Sequence, residues 1–544
     1  MVFEPPRRRS SPGVVVRLLC ITAWAVIGGA QAGAQASKAS LSVLKTRPEL
    51  TNYEQTSRYD DVVAFVTAVA DASDRIHRTS FGYSFEGRPL PLLVVGSVRD
   101  ARPESVKAAS DRTRVLVVGN EAGGEVDGKE ATLVLLRALA SGEHAAWDQR
   151  LVLLVAPIFN ADGNERISLT NRPRTNGPVG GVGSNNNAQN KNLNRDFTKL
   201  ETPEVRSMVQ VLRAYDPHVV IDMRTTNGTR HGYHVGYSPP LNPSTAPGID
   251  DLLRKEWFPS VSAALKKKQG WDTYYYGNVP AGPAASKQPR GWYTFDHRPR
   301  YSTNYVGLRN RFAVLTTVYS YLPFDQRIVA GRRFIEEMVD YAAANGERIR
   351  RVSNEADAKS VVGQTLGLQA VLEKTSDGVE IVLGDVEEAP HPYTGLTMFK
   401  RTNVRKPERM PEWGAFRATG SERAPQAYYV PPALAGVIDR LEAHGVQTTT
   451  LPREQTLSVE RFRIDSMSVA AQASEGHNER TVAGAYERAD VVLPAGTRVV
   501  RVDQPLGRLA FYLLEPRSDD GVLTWNLVDD ALKDAKVYPI VRNP

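Results

Sequence analysis

The sequence predicts an α/β domain with a mixed central sheet flanked by helices, followed by a smaller β-rich C-terminal domain. Three observations carry this. Short apolar runs alternate several times with amphipathic helical segments, as in an α/β sheet. The runs are nearly continuous in apolar residues, which suits strands covered on both faces. After about residue 350 the pattern changes to strand-like pieces separated by turn residues. A chain of 544 residues also exceeds what one ordinary core supports, so more than one domain is expected.

Taken in order, residues 37–56 form an irregular lead-in, and Tyr59–Ala72 places apolar residues at helical spacing. Phe81 to Val95 reads as a hairpin turned at Glu86-Gly87-Arg88-Pro89. The expected strands are Val115–Val118, Leu151–Val155, Val219–Ile221 and Ala313–Leu315. Helices are expected over Gly128–Ser141, Pro203–Tyr215 and Asp325–Asn345, and the Gly/Asn-rich stretch between Asn176 and Asn192 reads as a loop. Past residue 350, strands are expected at Val379–Leu383, Ala427–Val430 and Thr497–Val500, with a helix over Pro432–His444. The domains are thus 57–350 and 351–544, after the lead-in.

Residues 1–36 read as a secretory signal. Arg7, Arg8 and Arg9 precede the run VVVRLLCITAWAVIGGA, and small residues follow in Ala30-Gln31-Ala32 and Ala34-Gln35-Ala36. The segment carries four arginines and one glutamate, so its removal lowers the formal charge from +7 to +4. It also removes Cys20, the only cysteine, leaving neither a disulfide nor a thiolate metal ligand in the mature chain. No later stretch approaches the roughly 20 apolar residues of a membrane span. No dense basic run interleaved with aromatics points to nucleic acid. The expected location is outside the cytoplasm, periplasmic or extracellular.

Three segments at predicted strand ends carry candidate chemistry: GNEAGGEVDGKEA (Gly119–Ala131), NLNRDF (Asn192–Phe197) and DMRTTNGTRHGYH (Asp222–His234). In this order and spacing, together with YSTNYVGLRNR (Tyr301–Arg311) and Val502–Asn526, they resemble the carboxypeptidase A-like zinc metallopeptidases. The likeness is to a bacterial exported branch with a β-rich C-terminal extension, and it runs from about residue 55 to the C-terminus. A catalytic zinc takes three protein ligands and keeps one position open for water. The resemblance implies a His and a Glu three residues apart in the first motif and a second His in the third. It also implies a later Glu that takes a proton from the metal-bound water, and an Asn-Arg pair with another Arg that grips the substrate carboxylate.

Carried onto this sequence, the first ligand His falls on Ala122, the ligand Glu on Glu125, and the second ligand His on Arg224. The proton-transferring Glu falls on Thr317. Asn194 and Arg195 are present, with Arg172 or Arg174 as the second arginine. His231 and His234 lie seven and ten residues past Arg224 and are expected to face elsewhere. His77, His144, His218, His297, His391, His444 and His477 lack ligand-like spacing and read as surface or packing residues. An Arg224–Glu125 ion pair is expected to fill the charge role of the metal.

The expected function is an exported pseudopeptidase with no cofactor and no catalytic residue, Glu125 being the only remaining metal ligand. Its expected partner is a weakly bound peptide with a free C-terminal carboxylate. One rival reading is an active zinc metallocarboxypeptidase acting on exported peptides or cell-wall fragments. The other is a structural partner with a vestigial cleft. If residues 1–36 are a signal, N-terminal sequencing of exported protein should begin between Gly33 and Ser37. Recovery of Arg7–Arg9 in that fraction would refute the assignment.

Overall fold

The apolar runs form the middle of one sheet because their side chains leave water on both faces. In chain order its strands are β1 (Ile76–Tyr83), β2 (Pro89–Val95), β3 (Thr113–Gly119), β4 (Leu151–Ala156) and β5 (Val219–Thr225). Short strands β6 (Val235–Ser238), β7 (Thr273–Tyr275) and β8 (Trp292–Tyr293) precede β9 (Phe312–Val318). Eight of these, all but β8, make a mixed sheet of order β1-β2-β4-β3-β5-β9-β6-β7. β3 and β4 are buried along their whole length. β4, β3, β5 and β9 run parallel, whereas β1, β2 and β6 pair antiparallel. The chain is described here by a computed structural model over residues 41–226, 228–533 and 536–544. Residues 1–44 form one unit, of which only 41–44 are described, and residues 45–544 form the other. The signal segment therefore lies outside the described residues.

Helices α1 (Tyr59–Asp71), α2 (Asp127–Ala140), α3 (Pro203–Ala214), α4 (Ser302–Leu308) and α5 (Phe324–Ala344) flank the sheet, and α6 (Gly346–Ala358) follows. α3 starts where Pro203 presets the first turn and the Thr202 hydroxyl accepts from Val205 N at 3.3 Å. α2 lies tight against β5: a Cβ on Gly128 would stand 2.4 Å from Met223 Cβ. The lead-in departs from expectation in one place. Arg47–Leu50 make a one-turn helix, because Thr46 and Glu49 cap each other reciprocally.

The mixed α/β architecture and the added C-terminal sheets agree with the expected fold class. β10 (Thr365–Glu373) pairs with β13 (Ala415–Arg423). β11 (Ser376–Pro390) and β12 (Thr397–Trp413) form a long hairpin whose end extends onto β8. Then β14 (Ala427–Val430), helix α7 (Ala435–His444), β15 (Thr449–Thr450), β16 (Gln455–Val469), β17 (Arg480–Leu493), β18 (Arg498–Arg501) and β19 (Val541–Asn543) complete the chain. Those six strands make a sheet of order β15-β18-β14-β19-β16-β17. The hairpin strands are longer than the expected Val379–Leu383, because their charged, largely exposed ends give no apolar signal.

One core runs from Leu92, Leu116 and Val209 to Tyr428, Val500 and Leu509–Leu514, so the two sequence textures share apolar packing. Buried Arg300 adds a polar tie. Its Nε lies 2.9 Å from Asp520, its Nη1 lies 2.7 Å from Glu479, and its guanidinium covers Trp525 at 4.4 Å. Removing one member of a buried ion pair leaves the other charge uncompensated. Arg300→Leu should therefore lower unfolding free energy by about 3–5 kcal/mol in urea titration. A loss below about 1 kcal/mol, the size of an exposed pair, would refute this role.

Candidate active site

The parallel strands β3, β5 and β9 end side by side, and the candidate residues collect at their carboxyl ends, the usual ligand edge of an α/β sheet. After β3 the chain bends through Asn120, which takes a left-handed conformation with φ of 60°. Its side-chain amide donates to the carbonyls of Ala122, Gly123 and Glu125 at 3.2–3.3 Å, and so shapes the whole turn. Gly123 is required by close approach: a Cβ there would stand 2.4 Å from the backbone of Gly163 and Ser184. This turn aims Glu121 and Glu125 toward the end of β5.

Arg224 meets them there. Its Nε donates to Glu125 Oε2 at 2.8 Å, its Nη1 donates to Glu121 Oε2, and Asp222 Oδ2 lies 3.7 Å away. Arg172 approaches Glu125 from the other side, with Nη1 3.2 Å from Oε1, and gives Nη2 to Thr226 O at 2.7 Å. Thr225 N adds a third donor to Glu125 at 3.2 Å. Beyond these, Asp127 accepts from the Thr225 hydroxyl at 2.8 Å and lies 3.3 Å from Arg327.

The charge balance closes within this group. Burial alone would raise the Glu125 pKa, but Arg224 and Arg172 hold it below the ordinary carboxylate value. Burial and the neighbouring Asp222 charge push the Glu121 pKa well above that value. Arg224, although buried, is held more firmly charged by Glu125, Glu121 and Asp222. Burial raises the Asp222 pKa as well.

A zinc ion does not fit this donor set. At the positions that the resemblance assigns to ligands stand a methyl group (Ala122), a guanidinium (Arg224) and a carboxylate already bound by two arginines (Glu125). Thr317 is buried beside Arg224 in strand register, and its hydroxyl has no hydrogen-bond partner among the described residues. A neutral hydroxyl there cannot act as a base near neutral pH. His231 packs on Tyr319 at 4.2 Å and His234 on Trp271 at 5.1 Å. Burial pushes both pKa values down to about 3. Among the described residues, the one grouping able to offer three ligand atoms is Glu143, His144 and Glu336. It lies past the opposite end of α2 and is occupied by Arg332 and Arg333.

The other sequence candidates divide between the cleft and its surroundings. A cleft of about 1240 Å³ is lined by both Arg172 and Arg174, with Thr226, Arg230, Tyr276 and Phe295. Asn194 and Arg195 are not among the lining residues. The Asn194 side-chain oxygen accepts from Ser302 N at 2.9 Å, while Arg195 donates to Asn194 O at 2.7 Å and stacks 4.0 Å over Tyr301. Tyr301 in turn packs edge-on against Phe295 of the cleft. Sequence reasoning missed Glu121, Asp222 and Asn120. The available signal was three acidic residues, Glu121, Glu125 and Asp127, crowded between an apolar strand and an amphipathic helix.

Residues 62–238 match the family model described as zinc carboxypeptidase. Carboxypeptidase 2 of Trichophyton tonsurans is 23% identical over 495 residues, covering 86% of this chain and 82% of that protein. Carboxypeptidase 2 of Trichophyton rubrum is 22% identical over 489 residues, covering 84% and 81%. Among solved structures, carboxypeptidase A from Helicoverpa armigera is 14% identical with a TM-score of 0.41, covering 59% of this chain and 82% of that one.

Arg224→Met tests the charge balance. Without the guanidinium, Glu125 joins Glu121 in having a folded pKa above its unfolded value. Such groups stabilise the fold below the unfolded pKa and lose that contribution as pH rises through the folded pKa. The variant should lose about 3–5 kcal/mol at about pH 8 and less at about pH 5, read from urea titrations. An equal deficit at both pH values would show that Arg224 does not compensate these acids.

Proposed function

We propose that this chain, which resembles the carboxypeptidase A-like zinc metallopeptidases, is an exported pseudopeptidase that keeps a peptide-binding cleft and lacks hydrolytic chemistry. The observation that carries the reading is the Arg224 guanidinium on Glu125, at the place where the resemblance calls for a second histidine and a metal. Hydrolysis of an amide at neutral pH needs a water made nucleophilic and a base that takes its proton. Neither the donor set nor Thr317 supplies these.

Recognition does not depend on the metal. Arg172 and Arg174 line the cleft beside polar and aromatic side chains, and guanidiniums grip carboxylates through paired charge-assisted hydrogen bonds. A peptide with a free C-terminal carboxylate suits this lining. Arg172 is partly committed to Glu125, and Arg195 stands behind Tyr301, so the expected affinity is weak, about micromolar at best. Export rests on the N-terminal signal pattern, which leads into a mature chain without cysteine.

The names of the similar curated proteins favour a second reading, an active zinc carboxypeptidase. Metal analysis and turnover separate the two. Under our reading, protein dialysed against modest zinc retains far less than one equivalent and shows no release of C-terminal residues. The combined Ala122→His, Arg224→His and Thr317→Glu variant is the one expected to gain zinc binding. Near-equimolar zinc that is lost in Glu125→Ala, with turnover blocked by a chelator, would establish the active enzyme.

A further inference from the structure

The cleft has a second charged feature that neither the metal site nor the Asn194-Arg195 pair accounts for. Five cationic side chains line it (Arg172, Arg174, Arg230, Arg290 and Lys406) against one acid, Asp385. Three of the five are committed. Arg172 is bound to Glu125, Arg290 lies 2.6 Å from Glu408, and Lys406 lies 2.7 Å from Asp385. Arg174 has no carboxylate partner among the described residues. Arg230 has one at 3.6 Å, Glu388, and both of those side chains are largely solvent-exposed, so the pair is weak.

These two guanidiniums, one without a carboxylate partner and one weakly paired, are brought together by the β11–β12 hairpin. Phe399 N of β12 donates to Arg174 O at 3.0 Å, and Gly384 N of β11 donates to Arg230 O at 3.1 Å. Both guanidiniums then rest on the same ring, with Cζ 5.5 Å (Arg174) and 4.6 Å (Arg230) from the Phe399 centroid. The ring is itself buried and held edge-on by Tyr321 at 5.3 Å. Stacking holds an arginine through its flat face and leaves the N–H edge available.

We infer that Arg174 and Arg230, seated on Phe399, form an anion-binding site in the cleft wall that selects peptides carrying an acidic side chain upstream of the C-terminus. The inference rests on the peptide-binding reading above and adds a preference for acidic sequence. A cleft of about 1240 Å³ exceeds the usual drug-sized pocket and has room for several residues. A side-chain carboxylate bound there meets two guanidiniums, with Glu388, weakly paired to Arg230, as the acid it displaces.

Calorimetry on the full chain with four short peptides tests it: an internal Glu or Gln, each as free acid and as C-terminal amide. The Glu peptides should bind about fivefold tighter than the Gln peptides, the upper range for a solvent-reachable ion pair. That preference should fade as salt shortens the screening length. It should vanish in Arg174→Gln/Arg230→Gln and partly survive in Arg174→Lys/Arg230→Lys, which keeps charge and loses the planar fork. A Glu preference with acid and amide forms bound equally tightly supports this site while refuting recognition of the C-terminus. A free-acid preference without a Glu preference does the reverse. Equal binding of Glu and Gln peptides to the unmodified chain, or no binding of either, overturns the inference.

Discussion

A buried carboxylate needs a nearby positive charge, and at the end of β5 that charge is the Arg224 guanidinium. Around it stand Glu125, Glu121 and Asp222, all buried and all supplied by the ends of β3 and β5. Desolvation of several ions would cost many kcal/mol if they were unpaired. Arg172 completes the arrangement from the loop after β4. The Asn120 turn and the close contact at Gly123 have their positions set by the need to bring these groups within hydrogen-bonding distance. Arg224 supplies the positive charge that these acids need.

The central sheet was legible because β3, β4, β5 and β9 each carry a short apolar run and are bounded by helices with clear periodicity. The Arg224–Glu125 pair was legible as well, since the motif spacing places a cation beside the remaining acid. What the sequence hid is long-range. Glu121 is far from Asp222 and Arg224 in the chain and meets them only through the parallel pairing of β3 with β5, so no local pattern announces that contact. Arg195 looked like a cleft residue and instead stacks on Tyr301, because a local spacing does not reveal which way an arginine stem turns. The long hairpin β11–β12 was underestimated, and β16–β17 was not read as strands at all, for a different reason. Their outer residues are charged, and their pairing comes from backbone hydrogen bonds more than from apolar alternation.

The β-rich C-terminal part contributes to the site as well as to the core. Its Tyr428, Val500 and Leu509–Leu514 bury apolar surface together with the central sheet, and its Asp520 meets Arg300 from the preceding region. Through Leu383, Gly384, Phe399 and Lys406, the β11–β12 hairpin supplies one wall of the cleft. Gly232 N bonds to Val382 O at 2.8 Å, which stitches that wall directly to the segment following β5. The charged character of the cleft is therefore set by both parts of the chain at once.

The mutual dependence of the residues around Arg224 also bears on how the site tolerates change. Replacing Arg224 by histidine alone would withdraw a permanent cation from Glu125, Glu121 and Asp222 while Ala122 still offered no ligand. Such a variant would hold crowded acids with neither guanidinium nor metal to balance them, and would be less stable than the unmodified protein. Replacing Thr317 by glutamate would add another buried acid to the same neighbourhood. Each single substitution of this kind runs uphill, so the residues around Arg224 behave as a unit that tolerates exchange only together.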